Sequence, residues 1–230
     1  MAVSASNLAT TGSNTDATSY ATASITPGAN KLVLAWVYNI AATTPNTPTA
    51  SGNSLTWVEI DNQLDKDSLR RLTLFRAMGS SPSSGAVTFD FGGQTQTGCG
   101  WSIIEYTGMD TSGTNGSGAI VQSAKNLTAS TATSLTVTLG AFSSANNATA
   151  GGFGFPLNTA GLPTAGSGFT RTGQRNQATP NLSIGSEFRS DNDTTVDMDS
   201  STSSVPWVGI AVEIKDTVVA TTNSGFLGFM

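Results

Sequence analysis

The sequence predicts an all-β protein, an antiparallel β-sandwich of jelly-roll type with about a dozen strands and extended terminal arms. Three observations carry that prediction. Apolar residues come in short runs bounded every roughly 8 to 15 residues by Gly, Pro, Asn, Ser or Thr clusters, and helical periodicity is nearly absent. Charged residues make up only 11% of the 230 positions, against about a quarter in an average soluble domain, so the surface has to be built from hydroxyls and amides. About a dozen runs have strand character, too many for one flat sheet.

Taken in order, the stretch from 1 to 16 is rich in Ser, Thr and Ala and reads as a leading arm, without the basic-then-apolar order of a secretion signal. The turn "TPGAN" precedes "KLVLAWVYNI", Lys31 to Ile40, which is apolar on both alternating faces and reads as a central strand covered on both sides. After a Thr- and Pro-rich loop at 41 to 53 come "SLTWVEI", "RRLTLFRAM", "GAVTFDF" and "CGWSIIEY". A Gly- and Ser-rich loop at 107 to 119 is followed by "AIVQSA", "SLTVTLG" and "GGFGF". Beyond a further loop at 156 to 168 lie "GFTRTGQ", "LSIGSEFR", "TTVDMD" and "WVGIAVEIK". The sandwich is expected over 17 to 215, closing by about Lys215, with 216 to 230 as an interaction tail. No repeat of fixed period is evident, and no composition shift marks a boundary inside it.

Composition narrows the function. Ten Lys and Arg against fifteen Asp and Glu give a net charge of -5 and no basic patch, which argues against nucleic acid and against an anionic membrane as partners. The chain has no histidine, which excludes a Ser-His-Asp triad, a Cys-His pair and every His-ligated metal site. No phosphate-binding loop, dinucleotide fingerprint or nucleophile elbow is present. The single cysteine, Cys99, cannot form an internal disulfide and suits a buried strand position better than a reactive one.

Three sets of residues could carry chemistry or binding. "GWSIIEYTG" and "VGIAVEIKD" each place a glutamate, Glu105 or Glu213, near the end of a doubly apolar strand. Two such strand ends meeting solvent are the ordinary reading; an acid-base pair across a cleft is the sharper one. Asp191, Asp193, Asp197 and Asp199 in "RSDNDTTVDMDSS" are weak calcium candidates, since hard cations take oxygens from such loops, but a solvated hairpin is the favoured reading. No other metal and no cofactor is expected. Trp36, Trp101 and Trp207 sit in apolar strands where burial is the ordinary expectation, and Trp57 is ambiguous. The run "SGFLGFM" puts Phe226, Leu227, Phe229 and Met230 where a polar end is normal, and these four are the expected partner-binding residues.

Across "SITPGANKLVLAWV", "SGNSLTWVEI", "RRLTLFRAMGSSPSSGAVTFDFGG", "WSIIEYTGMDTSGTNGSGAIVQSA" and "WVGIAVEIK" the chain resembles a loosely defined group of uncharacterised jelly-roll or concanavalin-like domains. These recur in virion proteins of tailed phages and in bacterial surface proteins. The resemblance covers roughly residues 17 to 215, its motifs are structural, and no functional residue carries over. It implies a sandwich of that kind; the all-β pattern, the absence of histidine and of a catalytic constellation, and the apolar terminal run point to a non-enzymatic virion structural protein, a capsid decoration or minor capsid component that binds the major capsid protein or other virion subunits. A homo-oligomer is expected, with a trimer among the options. The alternative is a receptor- or glycan-binding module of a tail fibre or cell-surface protein, located outside the cell.

Overall fold

The structure, a computed structural model, describes residues 2–157, 163–200 and 204–217. Its organising element is the strand expected from "KLVLAWVYNI", Leu32–Ile40, buried along all but its last residue. Such a strand needs a sheet neighbour on each edge and a layer on each face, and it has all four.

The first eight strands are β1 (Ser4–Ser13), β2 (Ser19–Ala21), β3 (Leu32–Ile40), β4 (Thr49–Gly52), β5 (Val58–Leu64), β6 (Arg70–Ala77), β7 (Val87–Asp90) and β8 (Gly98–Thr107). They form a five-stranded sheet ordered β1-β8-β3-β6-β5 and a three-stranded sheet ordered β2-β7-β4. The next eight are β9 (Ile120–Leu127), β10 (Ser134–Thr138), β11 (Ala148–Phe155), β12 (Thr164–Ala165), β13 (Thr170–Gln177), β14 (Leu182–Arg189), β15 (Thr195–Asp199) and β16 (Val208–Ile214). Their order is β9-β16-β11-β14-β13 and β10-β15-β12, so the same antiparallel arrangement occurs twice. A jelly roll pairs its fifth strand with its fourth, whereas β5 and β13 pair with β6 and β14, so the jelly-roll type is not confirmed.

The two five-stranded sheets pack face to face, and each three-stranded sheet covers the outer face of one of them. The central core joins Leu32, Leu34, Trp36, Tyr38, Leu72, Leu74, Ile104 and Tyr106 of the first lobe to Leu182, Ile184, Val208, Ile210, Val212 and Ile214 of the second. Outside it lie one core around Val33, Val37, Phe75, Phe89 and Trp101, and another around Val137, Phe153, Phe155, Val196, Met198 and Trp207. Across the centre β1 lies on β13, β8 on β14, β6 on β16 and β5 on β9. These are the contacts of an isologous pair, so an approximate two-fold axis relates the lobes and passes near β3 and β11.

At that axis the two central strands compete for space. By register Trp36 corresponds to Gly152 and Tyr38 to Gly154. A Cβ at Gly152 would overlap the Trp36 ring, and one at Gly154 would lie 2.5 Å from Tyr38 Cδ2. One lobe therefore supplies the bulk and the other the room. The Trp36 indole then donates to the Ile210 carbonyl of the opposite lobe at 3.3 Å.

Every edge strand of the large sheets is bulged, with Leu8, Ile60, Thr172 and Val121 as the extra residues of β1, β5, β13 and β9. Bulges blunt an edge against pairing with another chain. Side chains also tie edge to edge: Asn7 donates to the Thr172 carbonyl at 2.6 Å, and Lys125 pairs with Asp61 at 2.7 Å.

Each apolar run singled out in the sequence contributes to a strand. Residues 1 to 16, expected as an arm, instead contain β1, a ten-residue strand in the first large sheet. The loops expected at 41 to 53 and 156 to 168 carry the short strands β4 and β12.

The packing at the axis makes a direct prediction. Gly152→Ala should cost about 2 to 4 kcal/mol in urea unfolding, because the Trp36 ring has nowhere to move. Gly85→Ala, where the nearest atom to an added Cβ is 3.9 Å away, should cost less than about 1 kcal/mol by the same measurement.

Candidate functional site

The two glutamates paired in the sequence reading prove to be the same position in the two lobes. Glu105 stands opposite Val33 on β3, and Glu213 stands opposite Thr149 on β11. Each carboxylate reaches the loop that leads into its own central strand. Glu105 Oε2 accepts from the Gly28 amide at 2.6 Å. Glu213, fully buried, accepts from the Ser143 amide and hydroxyl at 3.1 Å each, from Gln122 Nε2 at 2.6 Å and from Asn147 Nδ2. They share no partner among these bonds, and each carboxylate fastens a loop to the body of its lobe. The "TPGANK" and "SSANN" loops that they hold are themselves equivalent.

The aspartates of the "RSDNDTTVDMDSS" segment divide into two groups. Asp191 and Asp193 converge on Arg189, which donates from Nη1 to Asp193 Oδ2 at 2.7 Å and from Nε and Nη2 to the two Asp191 oxygens. This charge-assisted pairing holds the Asp191 carboxyl below its ordinary range and raises Arg189. Asp193 Oδ1 accepts from the Thr195 amide and hydroxyl, closing the turn into β15. Asp197 and Asp199 stand two apart on β15, opposite Thr136 and Ser134 of β10. Among the described residues no group of three or more Asp, Glu, Cys or His is arranged to hold a metal ion.

The residue that the sequence reading passed over is Glu187. It lies on β14, fully buried, with Oε2 accepting from the Gly166 amide at 2.9 Å and Oε1 without a hydrogen-bond partner. Asp197 reaches the same glycine: a Cβ added at Gly166 would sit 2.8 Å from Asp197 Oδ1. Burial, helped by the negative Asp197 and Asp193, pushes the Glu187 carboxyl up to about 8, despite the opposing bond from Gly166. Asp197 is also raised, by burial first and then by Asp193 and Asp199.

The first lobe provides an internal comparison. Register makes Phe75 the counterpart of Glu187 and Thr88 the counterpart of Asp197. Phe75 stacks on Phe89 with centroids 6.4 Å apart, an apolar filling of the same space. The second lobe has replaced an aromatic and a hydroxyl with two acids. The available signal was a glutamate inside "LSIGSEFR", a strand whose other residues up to Phe188 are apolar or small.

Two shallow clefts of about 370 Å³ flank the Ser190–Asp191 ridge above this corner. One is lined by Ala2, Ala145, Asn146 and Asp216, the other by Gly168, Thr170, Phe188 and Arg189. Phe169 lies 6.0 Å beneath the Arg189 guanidinium.

Cys99 is buried in β8 with its thiol pushed up by desolvation. Trp36, Trp101, Trp207 and Trp57 are all buried. Phe226, Leu227, Phe229 and Met230 lie outside the described residues. No known protein family, curated protein or solved structure matches the chain.

Two predictions follow from the carboxylates. Burial holds the Glu187 carboxyl in the folded state above the ordinary glutamate value of 4.5, so the fold binds a proton that the unfolded chain has released. Stability should fall as pH rises from about 4.5 to about 8, by about 3 to 5 kcal/mol, and level off above that. Glu187→Gln should flatten this part of the curve in denaturant titrations. Separately, Glu213→Gln places an amide among four donors and should cost about 2 to 3 kcal/mol. Glu105→Gln, with one such bond to lose, should cost about 1, both read by urea unfolding.

Proposed function

We propose that the chain is a non-enzymatic structural protein of a virion, of the capsid-decoration or minor-capsid kind, that binds a lattice of coat subunits. The supporting observation is the distribution of apolar surface. Among the described residues only two large hydrophobic side chains, Leu69 and Val121, are exposed, and the large-sheet edges are bulged against strand pairing. In the sequence, by contrast, Phe226, Leu227, Phe229 and Met230 lie within five positions. Burying two Phe, a Leu and a Met yields on the order of 6 to 10 kcal/mol before ordering costs, enough to fix a segment in a neighbour's groove. The virion setting rests on the resemblance described above, and the major capsid protein or another virion subunit is the expected partner.

Trp36, Trp57, Trp101 and Trp207 are all buried, so none of them offers the exposed stacking face on which a glycan-binding module relies. The surface is instead one of hydroxyls and amides around bonded loop carboxylates.

The test is co-sedimentation with purified coat lattice, run beside a glycan array. Full-length protein should pellet with the lattice and ignore the array. Deleting Ser224 to Met230 should abolish pelleting while moving the melting temperature by less than about 2 °C. Array binding without lattice binding would replace this reading with the adhesin alternative.

A further inference from the structure

We infer that the outer three-stranded sheet of the second lobe is a proton-dependent latch, fastened to β14 through Glu187 and loosened when that carboxyl loses its proton. Glu187 lies beneath the segment that contains β12 and the following turn, and its Oε2 receives the Gly166 amide. The same turn is closed by the Phe169 amide donating to the Gly166 carbonyl at 3.0 Å. Gly168 and Thr170, just beyond, line the cleft beside Arg189. The segment is therefore held to β14 of the large sheet through this buried carboxyl, beside the Arg171 bond from β13 to the Pro163 carbonyl.

The groups around that carboxyl make its charge costly. From β15 and the turn before it come Asp197 and Asp193, with Asp199 further along the same strand. β11 contributes Gly151 and Val196 packs beside it, neither able to compensate a charge. On β13 the cross-strand neighbour is Arg171, whose Nη1 is directed to the Pro163 carbonyl at 2.8 Å. On β14 itself Arg189 is engaged by Asp191 and Asp193. A proton on Glu187 removes the repulsion with Asp197. Without it, a fully buried carboxylate with one unsatisfied oxygen faces a second acid across Gly166, and relief comes by admitting water between β12 and β14.

The first lobe lacks the device. There Phe75 and Thr88 occupy the corresponding positions, so its outer sheet is held by apolar packing that does not titrate. The duplicated fold thus supplies a latch on one face and an insensitive control on the other. This inference concerns the second lobe alone and does not depend on the proposed virion role.

Hydrogen exchange of the full chain, followed from pH 6 to pH 9 and corrected for intrinsic rates, tests it. Protection of the amides from Gly166 to Phe169 should fall at least tenfold across that range, with β2, β4 and β7 unchanged relative to it. Glu187→Gln should remove the pH dependence, because the amide oxygen can still accept from Gly166 and cannot ionise. Should that variant not fold, carbon-detected NMR of the wild-type Glu187 carboxyl serves instead, with a midpoint between pH 7 and 9 expected. A midpoint near 4.5, or exchange that is flat in wild type, would overturn the latch. Restoration of protection at pH 9 by millimolar calcium alone would overturn it too, by making the acids a cation site.

Discussion

Two central strands meet at the axis relating the lobes, and at each level only one of them has room for a large side chain. β3 places Trp36 and Tyr38 there, and β11 answers with Gly152 and Gly154. The closeness of the two lobes is set at this contact. It lets the two five-stranded sheets approach closely enough for Leu34, Leu74 and Ile104 to share a core with Ile184, Ile210 and Val212. Interiors pack at crystal-like density, so a second bulky residue at the axis would separate the sheets. The cost falls on β11, whose glycines weaken the strand as an independent element and make it depend on its partner lobe.

The same asymmetry extends outward. Both lobes keep the glutamate near the end of the strand beside the central one, because each needs its leading loop fastened. Both keep a bulge at the equivalent point of β5 and β13. They differ where the outer sheets meet the large ones: aromatic packing of Phe75 on Phe89 in one lobe, the acids Glu187 and Asp197 in the other. A repeated fold that conserves its fastenings and changes one corner to buried acids has separated its two faces physically. One is held by apolar burial alone, the other by an apolar core with a titratable group beside it.

Much of this was legible in the sequence. The central strand, the all-β class and the burial of Cys99 and three tryptophans follow from short apolar runs and turn residues. The likeness of the Glu105 and Glu213 strands was visible as well. The duplication behind it was hidden, because the spacing between equivalent residues shrinks from the Trp36 and Gly152 pair to the Glu105 and Glu213 pair, leaving no fixed period. β1 was hidden for another reason: "SASNLATTGS" is a half-exposed edge strand built of small and hydroxyl residues, which alternation rules do not separate from a loop. Strands of two to four residues such as β4 and β12 carry too few side chains for any pattern. Glu187 was passed over because its role depends on Gly166 and Asp197, which come together only in three dimensions.

The central claim is that the lobes interlock through a knob from β3 and a hole on β11, and an exchange of the two tests it most directly. The single changes Trp36→Gly and Gly152→Trp should each cost more than about 3 kcal/mol in urea unfolding, one by leaving a cavity and the other by overpacking. In the double variant the indole returns from the opposite strand, near the Ser102 carbonyl that corresponds to Ile210. The account predicts a coupling of at least about 2 kcal/mol, so that the double variant is more stable than the sum of the singles. Strictly additive losses would contradict it.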